Sequence, residues 1–428
     1  MSIFAGRRYA VVGLGKAGLP AAERLRDFGA EVFVWDDSAP SRAAAAGFAV
    51  ARPSEVAGRL DAVVLSPGIP HILPQPHPEA AWALANNVPV LTDAELLFQA
   101  VRASGGKARF AGVTGTNGKS TTTALLAHIL TVGNIPNAAG ANLGPAALSL
   151  PMLPDDGVYV LEMSSYMLER IATLRFDAAV MLNLSPDHLD RHGDMAGYAA
   201  AKRHIFDRQD ETCTAIIGVD DALSREMAAG LHSQKARVVE ISGNDVPADP
   251  GPALRGFHNH QNAAAACVAA GALGVTWGDI AKGLASFPGL PHRAQEVAVR
   301  DGVRFINDSK ATNADAARWA MAVFDKFVWI AGGVAKAGGI DDLVPYFDRV
   351  QKALLIGQDG AAFARQLQES GVDAEFVETL EAAVPVAFAA AQQGGGVVLF
   401  SPAAASFDQF PNFEVRGERF AALARGEG

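Results

Sequence analysis

Seven consecutive residues, Gly115, Thr116, Asn117, Gly118, Lys119, Ser120 and Thr121, bring glycines, an ammonium group and hydroxyls together. They stand where an apolar run, residues 110–114, gives way to a helix-like run, residues 122–130. A strand that turns through glycines into a helix aims several backbone N–H groups and a helix N-terminus at one point, which suits a phosphate. Lys119 can reach a β- or γ-phosphate as a point charge, and Ser120 or Thr121 can offer a hydroxyl to Mg2+. The spacing departs from the usual G-x-x-x-x-G-K-S/T pattern, because the leading glycine, Gly112, stands one residue too far from Gly118. The alternative is a glycine turn with no ligand. It leaves Gly-Lys-Ser-Thr at a strand–helix junction to coincidence, so a chain that consumes ATP is expected.

Further along, Glu162 ends an apolar run, where a nucleotide-hydrolysing sheet places a Mg2+ ligand. The alternative is a strand-end carboxylate in water. His188, with Asp187 and Asp190 nearby, could add a ligand or orient water. Lys202, in a helical stretch of residues 198–205, reads as an ordinary surface lysine. The run Asn307-Asp-Ser-Lys-Ala-Thr-Asn313 packs a carboxylate, an ammonium and several hydroxyl or amide groups into one loop. A capped helix start accounts for Asp308 or Ser309 but poorly for Lys310. Lys336 and the run Ser401-Pro-Ala-Ala-Ala-Ser-Phe-Asp-Gln-Phe410 also follow strand-like segments. Near the N-terminus, Gly13-Leu-Gly-Lys-Ala-Gly18 followed by Asp36 matches a dinucleotide turn, with Asp36 on a ribose hydroxyl. The same turn could hold the diphosphate of another nucleotide, or be purely structural.

These residues need elements to position them. Residues 8–13, 31–35 and 62–66 read as strands, with a helix over residues 18–28, in the βαβ rhythm of a parallel sheet. A second unit starts near Asp93, with strands over residues 110–114, 158–162 and 178–184. A third starts near residue 290, with strands over residues 303–306, 327–331, 353–356 and 397–400. In an open parallel sheet, ligands collect outside the carboxyl ends of the strands, which is where all the polar runs fall. With 428 residues, two or three domains are expected, and 50% hydrophobic residues supply their cores. The net charge of −10 argues against a nucleic-acid partner. The two cysteines, Cys213 and Cys267, have no metal spacing. No uninterrupted apolar run approaches membrane-spanning length, so a cytoplasmic protein without membrane insertion is expected.

In this order along nearly the whole chain, residues 115–121, Glu162-Met-Ser-Ser165, Asp187-His188, Lys202, His258-Asn259, His292-Arg293, residues 307–313 and residues 401–410 resemble the motifs of the Mur ligases. These are the ATP-dependent amide-forming enzymes of peptidoglycan precursor synthesis. The forms of residues 307–313, 406–410 and 412–417 favour the family member that joins D-glutamate to UDP-N-acetylmuramoyl-L-alanine. The Asp-Asn-Pro-Arg motif of the member adding the third amino acid is absent. The resemblance implies an α/β fold of three domains, two Rossmann-like parallel-sheet domains flanking a central P-loop-type ATPase domain. The boundaries would be 1–92 for the UDP substrate, 93–289 for ATP and 290–428 for the incoming amino acid.

It further implies that Gly13, Gly15, Lys16, Ala17, Asp36, Asp37, Ser66 and Gly68 hold the UDP portion rather than NAD, with Asn142, Ser164 and Arg191 also on the substrate. Lys119, Glu162, His188 and Lys202 would be catalytic. Lys202 would be carbamylated and would join Ser120, Glu162 and His188 around two Mg2+ ions. Asn259 would meet adenine, Asp308 the ribose and Arg293 the nucleotide. Lys310, Thr312, Lys336, Ser406 and Phe413 would receive D-glutamate, and a monomer is expected. Three positions depart from the family pattern. Ala17 stands where Ser or Thr is common, Tyr166-Met167 replaces Phe-Gln, and Ala-Lys-Ala surrounds Lys336 in place of Asp-Lys-Gly. Three rival readings stay open at this point. They are a nicotinamide oxidoreductase, a nucleotide-dependent switch, and a related ligase adding another amino acid such as L-glutamate.

Overall fold

The structure, a computed structural model, describes residues 2–233, 235–245, 250–254, 256–336, 338–394 and 396–427. The side chains of Pro252 and His258 also lie outside that description, so the His258 of the sequence motif is not placed. Contacts divide the chain into two compact units, Met1–Gly251 with Phe257–Phe287, and Pro252–Gly256 with Pro288–Gly428.

The first unit carries two sheets, parallel throughout. One is built from β1 (Arg8–Val12), β2 (Glu31–Trp35), β3 (Ala49–Val50), β4 (Ala62–Leu65) and β5 (Val90–Leu91), in the order β3-β2-β1-β4-β5. The other uses β6 (Arg109–Thr114), β7 (Asn137–Ala141), β8 (Val158–Glu162), β9 (Ala178–Met181), β10 (Thr214–Gly218) and β11 (Arg237–Ile241), in the order β11-β10-β9-β6-β8-β7. β8 is buried at every position, as expected for a central parallel strand covered on both faces. One apolar cluster runs from Val11 and Leu25 through Leu97 and Phe110 to Met181 and Ile217, so the two sheets share a core.

The second unit holds β12 (Gln295–Arg300), β13 (Val303–Asn307), β14 (Phe327–Gly332), β15 (Val350–Ile356), β16 (Ala374–Glu378) and β17 (Val397–Phe400), in the order β12-β13-β17-β14-β15-β16. Its two faces bury separate clusters, one around Trp329 and Leu355, the other around Phe305 and Phe400. The edge strand β12 runs antiparallel to β13, against the all-parallel expectation. None of its residues is fully buried and their exposure does not alternate, so it carries no apolar rhythm to read. Within each sheet, the loops that carry the polar motifs leave the carboxyl ends of strands flanking a reversal in strand order, the place where open sheets receive ligands.

Candidate active site

The loop after β6 folds as a cradle. Gly115 has φ of 149° and Gly118 has φ of 84°, and the helix Lys119–Val132 begins directly after Gly118. That start is three residues earlier than the apolar pattern indicates, because the left-handed glycine makes the turn by itself. A side chain at Gly118 would also run into the amide of Asn262. Gly112 is a different case. It lies inside β6, where a Cβ would press on the Phe176 ring at 2.7 Å, so it serves packing and takes no part in the loop. The irregular spacing seen in the sequence is thereby explained. Gly118→Ala is expected to weaken ATP binding about tenfold or more, since a left-handed non-glycine residue alone costs about 1–2 kcal/mol. Nucleotide titration of a variant with unchanged circular dichroism checks this.

Asn183, just past β9, fixes the cradle, and sequence reading assigned it no role. Its Oδ1 accepts from Asn117 N at 2.9 Å and its Nδ2 donates to Asn117 O at 3.2 Å, while its backbone oxygen accepts from Thr116 N at 2.9 Å. Lys119 Nζ donates to Gly115 O at 3.0 Å and Thr116 O at 2.7 Å, over the same loop. Ser120 is buried at the helix start, and Thr121 follows it, half-buried. Asn259 accepts at 3.1 Å from Nδ2 of Asn262, the residue whose amide lies against Gly118.

Glu162, at the end of β8, is buried. Its Oε1 accepts from Asn142 Nδ2 at 2.6 Å, whereas its Oε2 is buried without a hydrogen-bond partner. Lys202 corrects the sequence reading, because it is 1% exposed and no surface lysine at all. Its Nζ donates to Gly115 O at 2.8 Å and lies 4.7 Å from the Tyr198 ring centre. Burial, reinforced by the nearby Lys119 charge, holds its ammonium pKa well below the usual value, against the pull of Asp187 and Glu162. His188 has φ of 53°, and its Nε2 is 3.4 Å from Asp187 Oδ2. Partial burial lowers its pKa, with Lys202 and Lys119 adding to the effect and Asp187 opposing it. Among the described residues no cluster of three or more His, Cys, Asp or Glu forms a metal cage.

A second site lies at the β1–β4 switch point. A cavity of about 570 Å3 is lined by Gly13, Gly15, Lys16, Ala17, Asp36, Asp37, Ser66 and Gly68, among others. A Cβ at Gly18 would strike the Gly13 carbonyl, so the helix closes tightly on the turn, while Gly15 faces open space that a diphosphate could enter. Asp36 is already engaged, its oxygens accepting from Leu14 N at 2.7 Å and Ser38 N at 2.8 Å. Asp37 pairs with His77 Nε2 at 3.1 Å. The lip of this cavity is held by two arginines of the same unit. Arg170, buried, donates to Leu65 O at 2.8 Å, Ser66 O at 3.2 Å and Pro67 O at 2.9 Å. Arg191 donates to Gly68 O at 3.0 Å. Ser164 caps the helix Ser165–Leu168 by accepting from Met167 N. Arg170 carried no sequence signal, since a lone arginine in the turn after a short helix reads as solvent-facing.

In the second unit the loops after β13, β14 and β17 meet. Val334 and Ala405 exchange backbone hydrogen bonds at 2.9 and 2.8 Å. Arg416, another residue missed, is buried and donates to Ser309 Oγ and O and to Ala404 O. Lys310 Nζ sits 5.3 Å from the Phe413 ring centre. Ser406 is buried, Thr312 and Phe413 are half-buried, and Lys336 is exposed. Asp308 accepts from Ser401 Oγ at 2.7 Å and from the backbone N of Ala294, next to Arg293, at 3.1 Å.

Burial raises the Asp308 pKa from 3.8 to about 7 despite those bonds. An acid whose folded pKa is raised destabilises the fold once it must ionise. Stability is full below about pH 4, declines as pH rises toward 7, and levels off above it, by about 4 kcal/mol for such a shift. Asp308→Asn should remove this slope. Urea unfolding of both proteins at pH 5 and pH 8 checks it, and a wild-type-minus-variant difference that does not change with pH would contradict it.

The comparisons with known proteins agree with this layout. Residues 113–250 match the family model of the Mur ligase middle domain, and residues 292–404 match that of the Mur ligase glutamate ligase domain. The chain is 46% identical to UDP-N-acetylmuramoylalanine–D-glutamate ligase of Paramagnetospirillum magneticum, over 98% of this chain and 96% of that one. It is 45% identical to the protein of the same name from Caulobacter vibrioides, over 99% and 96%. Among solved structures, UDP-N-acetylmuramate–alanine ligase from Thermotoga maritima matches with a TM-score of 0.58 at 18% identity, covering 98% of this chain and all of that one, a likeness of fold alone. With relatives this similar over nearly its full length, the chain belongs to the Mur ligase family.

Proposed function

We infer that this protein is an ATP-dependent ligase that adds D-glutamate to UDP-N-acetylmuramoyl-L-alanine, forming ADP, in peptidoglycan precursor synthesis. The observation that carries the reading is the meeting of the glycine cradle, the buried Lys202 and the half-satisfied Glu162 at one sheet end. The relatives' shared name supports the substrate pair.

A carboxylate and an amine do not condense in neutral water, because oxide would have to leave. In the proposed reaction an oxygen of the alanyl carboxylate attacks the γ-phosphorus of ATP, ADP departs, and an acyl phosphate results. The amine of D-glutamate then attacks the acyl carbon, and phosphate leaves as the amide forms. The protein's part is mostly positioning and charge neutralisation. The cradle N–H groups and Lys119 hold the phosphates, with Asn259 toward adenine, Asp308 toward the ribose and Arg293 on the nucleotide. Lys119 also faces the oxyanion of the second step. Lys310 and Lys336 pair with the two glutamate carboxylates, Thr312 and Ser406 supply hydroxyls, and Phe413 supplies a wall. The UDP portion takes the cavity around Gly15 and Asp36, and Asn142, Ser164 and Arg191 line the way toward the cradle.

The residues present fit Mg2+, since the unpartnered buried Oε2 of Glu162 is an oxygen donor suited to a hard cation. Ser120, Glu162, His188 and a carbamylated Lys202 would hold two such ions, with the nucleotide and water completing their shells. Bound there, Mg2+ supplies positive charge against the transferring phosphoryl group. The division into domains 1–92, 93–289 and 290–428, a monomeric state and a cytoplasmic location belong to the same proposal. Among the described residues no helix is long and apolar enough to cross a membrane.

Oxygen-18 placed in the alanyl carboxylate tests the route. The acyl phosphate pathway delivers one labelled oxygen to inorganic phosphate, and unlabelled phosphate alongside normal product would overturn it.

A further inference from the structure

Glu162 ends a strand whereas His188 comes from a loop, and only the first is well braced. Glu162 closes a fully buried strand and is held by Asn142. His188 has left-handed backbone geometry, keeps almost half its side chain exposed, and opens a helix of only four residues, Leu189–His192. A single helical turn has little stability of its own, and left-handed geometry is costly for a residue with a Cβ. Something outside the turn must hold it.

The other end of that turn is His192, whose side chain is 1% exposed. Its Nε2 lies 2.9 Å from Ser165 Oγ, and its Nδ1 lies 3.2 Å from Glu169 Oε1. A carboxylate can only accept, so Nδ1 donates to Glu169, and in the neutral ring Nε2 accepts from the Ser165 hydroxyl. Ser165 and Glu169 both belong to the short helical segment that directly follows Glu162, Met163 and Ser164. The histidine thus staples the His188 turn to the Glu162 turn. Tyr166 fills the space between them. Its ring stacks on His192 at 5.5 Å and 16°, meets His188 at 5.1 Å, and carries the Arg191 guanidinium at 4.4 Å. Its backbone oxygen accepts from Arg170 Nε at 2.9 Å. A histidine buried this deeply with both nitrogens satisfied is expensive to place by chance, and a phenylalanine would fill the same volume.

We propose that His192, held between Ser165 and Glu169 and packed on Tyr166, is the positioning residue that fixes His188 opposite Glu162 and so prepares the site for Mg2+ and ATP. This rests on the reading of Glu162 and His188 as the groups that meet the metal. Ser165 and Glu169 act through His192, and none of the three needs to touch substrate.

The test uses His192→Phe, which keeps the ring but loses the staple, His192→Gln, which keeps a donor and an acceptor, and Glu169→Gln. His192→Phe should raise the Mg2+ concentration for half-maximal rate, and lower kcat, by about 10- to 100-fold, as other outer partners of metal ligands do. The KM for the UDP substrate should stay within about twofold. Mn2+ binding in the presence of a non-hydrolysable ATP analogue, read by electron paramagnetic resonance, should weaken in parallel. His192→Gln should recover part of both, and Glu169→Gln should show the smaller loss in the same direction. A lowered Tm with unchanged Mg2+ dependence and Mn2+ binding would overturn the proposal. Should His192→Phe not fold, Glu169→Gln decides, and unchanged Mn2+ binding there overturns it equally. Glu162→Gln and His188→Ala separate the two levels. If those variants lose Mn2+ and the His192 and Glu169 variants keep it, the staple falls alone. If the variants at all four positions keep it, the underlying metal assignment falls too.

Discussion

Lys119→Ala is expected to lower the rate of ligation by about 10²–10³-fold, the loss typical of removing one charge-stabilising group from a transition state, while binding of the UDP substrate persists. Lys119 follows the left-handed Gly118 and folds over the cradle, donating to the carbonyl oxygens of Gly115 and Thr116. Phosphate oxygens entering the cradle offer that ammonium stronger, charge-assisted partners than two carbonyls. The cavity assigned to the UDP portion is built from other loops, around Gly15, Asp36 and Ser66, so its affinity should be untouched. Steady-state kinetics combined with calorimetric titration of the UDP substrate separates the two effects. Near-normal turnover in the variant would contradict the mechanism.

Lys202→Ala should be about as damaging, but chemically repairable. The amine is buried beside Gly115 O, Thr114 Oγ1 and the Tyr198 ring, and burial together with Lys119 favours its neutral form. A neutral amine is the form that attacks carbon dioxide, giving a carbamate and releasing a proton. The product carries carboxylate-like oxygens toward the cradle and Glu162, where the unpartnered Oε2 already marks a place for a cation. Truncation to alanine removes those oxygens and leaves room for a small anion. Added formate or acetate should therefore restore part of the lost rate, with recovery rising with concentration and then saturating. The absence of rescue at any concentration would count against the carbamate while leaving the fold and the cradle as they stand.

The contrast between these two lysines shows what the sequence could convey. Lys119 announces itself because its glycine neighbours and the change from strand to helix are local. Likewise β8 and β17 lie at the residues the apolar runs indicate, since fully buried parallel strands write themselves as continuous apolar stretches. Lys202 sits in an alanine-rich helix, and what buries it is Tyr198 and the cradle, 87 residues back along the chain at Gly115. No local pattern carries that. Arg170 and Arg416 were silent for the same reason, for each satisfies loop carbonyl groups through tertiary contacts. Gly112 misled in the other direction, because a glycine required by the Phe176 ring looks the same as a glycine required by a phosphate. The antiparallel β12 was missed because none of its residues is fully buried, and only Val297 and Ala298 lean on the core, too little to mark a strand. The family resemblance supplied roles that residue chemistry could not, above all for Lys202, while the structure shows that lysine buried against the cradle.

The central claim is tested most directly by mass analysis of the product formed from UDP-N-acetylmuramoyl-L-alanine and ATP with D-glutamate, L-glutamate or no amino acid. The account predicts a single glutamate added with the D enantiomer only, and ADP released in step with it. Product with L-glutamate alone, or none with either despite intact ATP binding, would contradict it.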